Sequence, residues 1–213
     1  MCRSCPPRSG FRIAPYIVHA GCSANAFARM RRRLVPAAKG LVVEVGFGSG
    51  LNLPYYDAGK VKRLVGVDPN GAMLAMARTL GRTLPFDVEC IEAGGENLPL
   101  PDSIADTVVV TYAFCTIPQP EAALAEIRRV LKPSGRLIFI EHGQADEPRC
   151  RRWQDRLNRL WGWLADGCHL NRDPLRLIRG AGFRVVEEER GRFPLSFWQL
   201  GGHFAGIAAP PTG

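Results

Sequence analysis

From residue 41 almost to the end of the chain, short apolar runs alternate with stretches whose apolar positions recur every three or four residues. The short runs are Leu41–Val45, Leu64–Val67, Val88–Ile91, Thr107–Thr111 and Leu137–Glu141. They have strand length, and the first, fourth and fifth are nearly all apolar, as central strands covered on both faces must be. The periodic stretches Ala72–Leu80 and Glu121–Leu131 read as helices. The second starts after Pro120 and is stopped by Pro133-Ser134-Gly135. Asp173 before Pro174 reads as an N-cap followed by a first-turn proline, on a helix that runs to Arg179 and ends at Gly180-Ala181-Gly182. Val185–Glu189 and Gly202–Ala208 read as two closing strands. Strand–helix alternation of this kind predicts an α/β domain built on a parallel sheet. Ahead of it, Ala14–Leu34 reads as a helix interrupted near Gly21, and residues 1–12 have the composition of a disordered leader. The expected organisation is a leader and helix over 1–35 and one domain over 36–209.

The first apolar run leads into Glu44-Val45-Gly46-Phe47-Gly48-Ser49-Gly50. Glycines after a central strand permit a tight turn and close approach of a ligand to the backbone. A dinucleotide fingerprint spaced G-x-G-x-x-G from Gly46 requires glycine at 51, where Leu51 stands. The spacing is G-x-G-x-G, with an acid two residues before the first glycine. That acid is awkward beside a pyrophosphate but suits a cofactor with a cationic amino-acid head. The pattern favours S-adenosylmethionine over a nicotinamide dinucleotide; the bland alternative is a structural turn. The second apolar run ends in Asp68, 22 positions after Gly46. An acid there is placed to bond ribose hydroxyls; the alternative is an N-cap for the next helix.

Further motifs follow in order: Val67-Asp68-Pro69, then Gly95-Glu96-Asn97-Leu98-Pro99, Ala105-Asp106-Thr107-Val108-Val109, and Glu126 through Lys132-Pro133-Ser134-Gly135 to Leu137. Together with the glycine loop they resemble class I S-adenosylmethionine-dependent methyltransferases over roughly residues 36–208. The resemblance implies a Rossmann-like, seven-stranded, mostly parallel sheet with helices on both faces. It implies a cofactor site made of Glu44, Gly46, Phe47, Gly48, Gly50, Asn52, Asp68, Pro69, Met73, Gly95, Glu96, Asn97, Thr111 and Tyr112. Many members carry Gly-Asp-Ala-Glu where this chain has Ala93-Gly94-Gly95-Glu96, so the acid that often meets the adenine amine is absent. Glu96 and backbone near Asn97 stand in its place. Glu141-His142, Trp153-Gln154, Asp166 to Arg172 and Pro194-Leu195-Ser196 resemble the small-thiol methyltransferase-like proteins of animals and their bacterial relatives, some labelled phospholipid methyltransferases. Those animal proteins carry an apolar N-terminal membrane segment, which the first 40 residues here do not show.

Methyl transfer from a sulfonium is an in-line displacement, in which the protein positions donor and acceptor and excludes water. A base is required only when the acceptor carries a proton near neutral pH. Tyr112, after the fourth strand, and His142, after the fifth, are the residues expected to face the acceptor. His142 is the candidate base, with a structural hydrogen bond as its alternative. Cys115 reads as a packed thiol, and Cys168-His169 as a local structural feature. The expected acceptor is a small molecule or lipid, with a thiol or an amine as the reacting group.

Charge alters this picture at one end. Residues 1–40 hold eight basic residues and no acidic ones, so this segment carries the whole net charge of +8. A basic leader suits an anionic surface, yet no RNA-binding appendage and no Asn-Pro-Pro-Tyr-type motif follows the fourth strand. A nucleic-acid methyltransferase and a non-catalytic binding module are therefore the secondary readings, and no nucleic-acid partner is expected. Trp153, Leu157, Leu160, Trp161 and Leu164 share a helical face ringed by Arg149, Arg151, Arg152, Arg156 and Arg159. That helix suits peripheral contact with a membrane, or packing on the domain. No apolar run approaches the roughly 20 residues a span requires. The seven scattered cysteines do not form a disulfide framework, and Cys2 with Cys5 makes a lone CxxC. No metal site is expected, and a cytoplasmic location is.

Overall fold

The computed structural model describes residues 25–165, 167–192 and 201–211. Residues 14–24 of the expected first helix, Cys2, Cys5, Asp166 and Pro194-Leu195-Ser196 lie outside them. In chain order the elements are α1 (Asn25–Leu34), β1 (Gly40–Val45), β2 (Val61–Asp68), α2 (Gly71–Gly81), β3 (Asp87–Glu92), β4 (Ala105–Thr111) and α3 (Pro120–Val130). There follow β5 (Leu131–Gly143), α4 (Pro148–Leu164), α5 (Pro174–Gly180), β6 (Arg184–Arg192) and β7 (Gly202–Ala209). Single turns of 3-10 helix stand at Val35–Ala37 and Leu53–Tyr55.

One seven-stranded sheet runs β3-β2-β1-β4-β5-β7-β6. β3, β2, β1, β4 and β5 pair in parallel, and β7 pairs antiparallel with both β5 and β6. The apolar runs alternate between two layers. Val108, Val110, Leu137 and Phe139 face one side, with Leu124, Ile127, Leu175 and Ile178 of α3 and α5. Val109, Ile138 and Ile140 face the other, with Leu34 at the end of α1 and Leu74 and Ala77 of α2. Both faces are thus covered by helices, which is why these runs are apolar throughout rather than alternating. The chain leaves β1 toward β2 on one side, while β4 lies on the other. The loops after β1 and β4 therefore diverge and open a crevice at the carboxyl ends of the strands.

Two local expectations change. Helix α3 stops at Val130, and Leu131 already belongs to β5. Pro133-Ser134-Gly135 forms an irregularity, where pairing jumps from Ala105 with Leu131 to Thr107 with Arg136. Only part of the predicted apolar face of α4 packs on the domain: Leu157 and Trp161 are half-buried. Gln154 and Gly162 are buried, whereas Trp153, Leu160, Trp163 and Leu164 are exposed. The reason is polar: the Gln154 amide accepts from Ala145 N at 2.9 Å and donates to Gly143 O at 3.1 Å. Two buried backbone groups need those bonds, so the helix turns its amide inward.

The loop between β3 and β4 borders the crevice and is held by an ion pair on α3, Arg129 with Glu126. Arg129 Nη2 donates to Leu98 O at 2.9 Å, and Nη1 donates to Leu100 O at 2.8 Å and Asp102 Oδ1 at 2.6 Å. Glu126 receives Arg129 Nε and itself accepts from Leu98 N. Replacing Arg129 with Met leaves two carbonyls and two carboxylates without this donor. Urea denaturation of Arg129→Met is expected to show a loss of about 1–3 kcal/mol, with Arg129→Lys between the two.

Candidate active site

β1 delivers Glu44 and Val45 to the mouth of the crevice, and the chain then turns sharply. Gly46 has φ +77° and Gly48 φ +55°, in the left-handed region open to glycine. A Cβ at Gly46 would lie 2.4 Å from Cβ of Ala113, so the turn after β4 leaves no room for one. A Cβ at Gly48 would meet nothing within 4 Å, because its backbone faces the open cavity. The turn is tied to β2 by Gly46 N and Phe47 N, which both donate to Val67 O. Asp68 completes the tie: Oδ2 accepts from Gly48 N and Oδ1 from Asn70 N, each at 2.8 Å. The N-cap of α2 is Asn70, not Asp68, since Asn70 Oδ1 accepts from Ala72 N and Met73 N.

The resulting cavity is about 480 Å³. Glu44, Gly46, Phe47, Gly48 and Asn52 line one wall, and Asp68, Pro69 and Met73 the next. Gly95, Glu96, Thr111 and Tyr112 line the wall nearest β4. Gly50 and Asn97 do not line it. Gly50 shapes the turn from behind (φ +81°), and Asn97 is exposed on the outer side of its loop. His142 is also away from the cavity. It lies within β5 rather than after it, is buried, and places Nε2 3.2 Å from Cys168 Sγ.

Glu44 is 1% exposed. Its carboxyl receives Asn52 Nδ2 at 2.8 Å and the Tyr56 hydroxyl at 2.6 Å. Asn52 Nδ2 also donates to Thr111 Oγ1 at 3.0 Å, while Asn52 Oδ1 is buried without a hydrogen bond. Burial pushes the Glu44 carboxyl up to about 8, against the two hydrogen bonds and the charge of Arg31, which lower it. The cavity therefore presents an acidic group and an unmet acceptor side by side.

Arg31 is the residue that sequence reasoning missed. It sits in an Arg31-Arg32-Arg33 run that looks like a solvated leader, yet Arg31 is buried at the cavity while its two neighbours are exposed. Only its spacing from Phe27, one helical turn earlier, could have signalled this. Its guanidinium stands 5.3 Å from the centre of the Tyr112 ring, and Phe27 meets the same ring edge-on at 4.8 Å. Tyr112 takes φ +55°, unusual for an aromatic residue and typical of functional turns. Its hydroxyl is 3.3 Å from His203 Nε2 on β7.

Comparison with known proteins agrees with this geometry. A methyltransferase domain model matches residues 43–139. The chain is 33% identical to thiol S-methyltransferase TMT1B of Rattus norvegicus, covering 91% of this chain and 84% of that protein. It belongs to the S-adenosylmethionine-dependent methyltransferases. A phosphatidylethanolamine N-methyltransferase of Cereibacter sphaeroides is 30% identical over 75% of this chain and 80% of its own length. The YcgJ protein from Bacillus subtilis superposes with a TM-score of 0.69 at 16% identity, over 88% of this chain and 99% of that one.

The methyltransferase uses S-adenosylmethionine, and its cavity fits that molecule. Glu44 and the unpartnered Asn52 Oδ1 are acceptors suited to an ammonium group. Asp68 offers a carboxylate to a diol, and the bare Gly48 backbone admits close approach.

A second buried acid lies behind the crevice. Glu141 Oε1 accepts from Ala113 N and Phe114 N and holds the turn after β4, while Oε2 is buried without a partner. Burial raises this carboxyl to about 8 as well. Both acids keep their protons up to about pH 8 in the folded chain and lose them near the ordinary value of 4.5 once unfolded. The unfolded state releases protons across that window, so stability falls as pH rises from about 4.5 to 8. The urea midpoint of the ligand-free protein is expected to fall between pH 5.5 and 8, and to fall less in Glu44→Gln with Glu141→Gln.

Proposed function

We propose that this methyltransferase transfers the methyl group of S-adenosylmethionine to the sulfur of a small apolar thiol presented at a membrane surface. The observation that carries the reading is Arg31 beside Tyr112 on the acceptor side of the cavity. A buried guanidinium favours a thiolate and repels the cation that methylating an amine creates, so it suits a sulfur acceptor better than an amine. Around them Ile117, Pro118, Ala113 and Ala165 are apolar, with Thr116 the one polar side chain among them, and match a mainly apolar acceptor. The curated relative from Rattus norvegicus is itself named a thiol S-methyltransferase.

Bound S-adenosylmethionine supplies an electrophilic methyl on a sulfonium. In this reading Glu44 and Asn52 hold the amino-acid head, Asp68 the ribose, and Gly95 with Glu96 the adenine side. Tyr112 and Arg31 orient the acceptor sulfur toward the methyl. A free thiol ionises near pH 8.5, so a guanidinium that lowers this value populates the thiolate without a separate base. The thiolate, its proton already lost to solvent, would take the methyl from the sulfonium of the bound cofactor, leaving that sulfur as a neutral thioether. His142, remote from the cavity, is not required for the step.

The membrane side of the proposal rests on α4. Trp153, Leu160, Trp163 and Leu164 are exposed there, with Arg152, Arg156 and Arg159 exposed around them. Arg156 stands 5.9 Å from the Trp153 ring. An outward apolar face within a basic rim is the composition of an interfacial helix. No helix among the described residues is long and apolar enough to cross a membrane. We place the enzyme in the cytoplasm, peripheral to that surface; none of Cys90, Cys115, Cys150 and Cys168 is in a disulfide.

Tritiated-methyl transfer should be measured with an alkyl thiol, with phosphatidylethanolamine vesicles and with tRNA. Transfer to the thiol is expected, faster with anionic than with zwitterionic vesicles; transfer to phosphatidylethanolamine alone would replace the thiol reading with the amine one. Asp68→Ala is expected to weaken S-adenosylmethionine binding by one to two orders of magnitude, roughly 1.4–3 kcal/mol, in calorimetry. An unchanged dissociation constant would remove Asp68 from the site.

A further inference from the structure

Three ligating side chains meet outside the cavity. Cys115 lies in the turn after β4, His142 near the end of β5, and Cys168 in the turn after α4. All three are buried, and their sulfur and ring-nitrogen atoms lie within 4.8 Å of one another. His142 Nε2 and Cys168 Sγ are 3.2 Å apart. Zinc binds thiolate at about 2.3 Å and imidazole at about 2.0–2.1 Å in a tetrahedral array, so its donors stand roughly 3.3–3.8 Å from one another. This trio is therefore already near the spacing that one ion imposes.

The frame around the trio is built independently of any ion. His169 N donates to Cys115 O at 2.8 Å, joining the two cysteine turns. Arg172 Nη1 donates to Ile117 O at 2.6 Å and also to Phe114 O. Asn158 on α4 accepts from Leu170 N at 2.8 Å. Three segments distant in sequence are thus locked with their donors converging, which is the preorganisation a metal site requires.

We propose that Cys115, His142 and Cys168 form a zinc site. Two thiolates and a neutral imidazole supply two negative charges, which a divalent cation balances. Sulfur and nitrogen donors select a borderline-soft ion and exclude calcium and magnesium, which take oxygen. Three protein ligands leave a fourth coordination position. The ion clips together the ends of β4 and β5 and the turn after α4. Ala113 and Thr116, two residues before and one after Cys115, and Ala165, three before Cys168, line the cavity. Zinc thereby braces the acceptor side of the cavity, whichever acceptor is used.

The test uses the full chain without a histidine tag, reduced and handled without oxygen. Metal content is measured after incubation with Zn²⁺ and gel filtration, and the absorption spectrum after titration with Co²⁺. One zinc per chain is expected, with thiolate-to-cobalt charge transfer and the intense visible bands of tetrahedral cobalt. Cys115→Ser and Cys168→Ser should each lose the thiolate signature. Cys90→Ser and the Cys2→Ser, Cys5→Ser double variant should keep it. S-adenosylmethionine binding by calorimetry reports whether each variant is folded. The wild-type spectrum also decides by itself, because a folded, reduced wild type that binds no zinc overturns the site. So does a signature that survives Cys115→Ser and Cys168→Ser but vanishes with Cys2 and Cys5. A disulfide between Cys115 and Cys168 that resists the reductant would overturn it as well.

Discussion

The placement of one acid, Glu44, in the buried carboxyl-terminal half of β1 constrains the rest of the site. A carboxyl with 1% exposure costs free energy unless its oxygens are hydrogen-bonded. Asn52 and Tyr56 supply those bonds from the segment after the glycine turn. The path of residues 46–56 is thus set by where an asparagine amide and a phenol must arrive. Asn52 also reaches Thr111 at the end of β4, so the same amide spans the crevice between the two diverging strands. The fit to a cationic head follows, because Glu44 and Thr111 take the two hydrogens of the amide and its oxygen is left unmet.

Tyr112 plays the matching part on the other side. It takes a left-handed backbone directly after β4 and its side chain touches two other elements at once. Arg31 and Phe27 come from α1, and His203 from β7. The basic segment before the domain is therefore built into the site through Arg31, not merely attached to it. A local change in α1 has a direct route to the cavity wall at Tyr112.

Much of the fold was legible in the chain because the signals were local. Strand runs such as Thr107–Thr111 and Leu137–Glu141 are apolar on both faces, and only a covered parallel sheet uses such runs. Asp173-Pro174 marked the start of α5, and the G-x-G-x-G spacing marked a turn whose first and second glycines adopt positive φ. Glu44 and Asp68 were found by their distance from that turn. The residues that escaped had no local signal. Arg31 looks like its exposed neighbours until α1 docks. The inward face of α4 is centred on Gln154 by two backbone groups outside the helix that need its amide, not by its apolar periodicity alone.

What the sequence determined by itself was the α/β class, the order of elements and the cofactor turn. Periodicity, caps and glycine spacing act over a few residues, and each is a property of the chain alone. Tertiary structure decided which side chains share a cavity. It moved His142 away from the cavity and into contact with Cys168, and it joined Cys115 to both across separate elements. It also gave Glu44 and Glu141 their raised proton affinities, since these come from the water that folding removes. Such properties arise only when strands from distant parts of the chain close over the same volume, which no short window of sequence encodes.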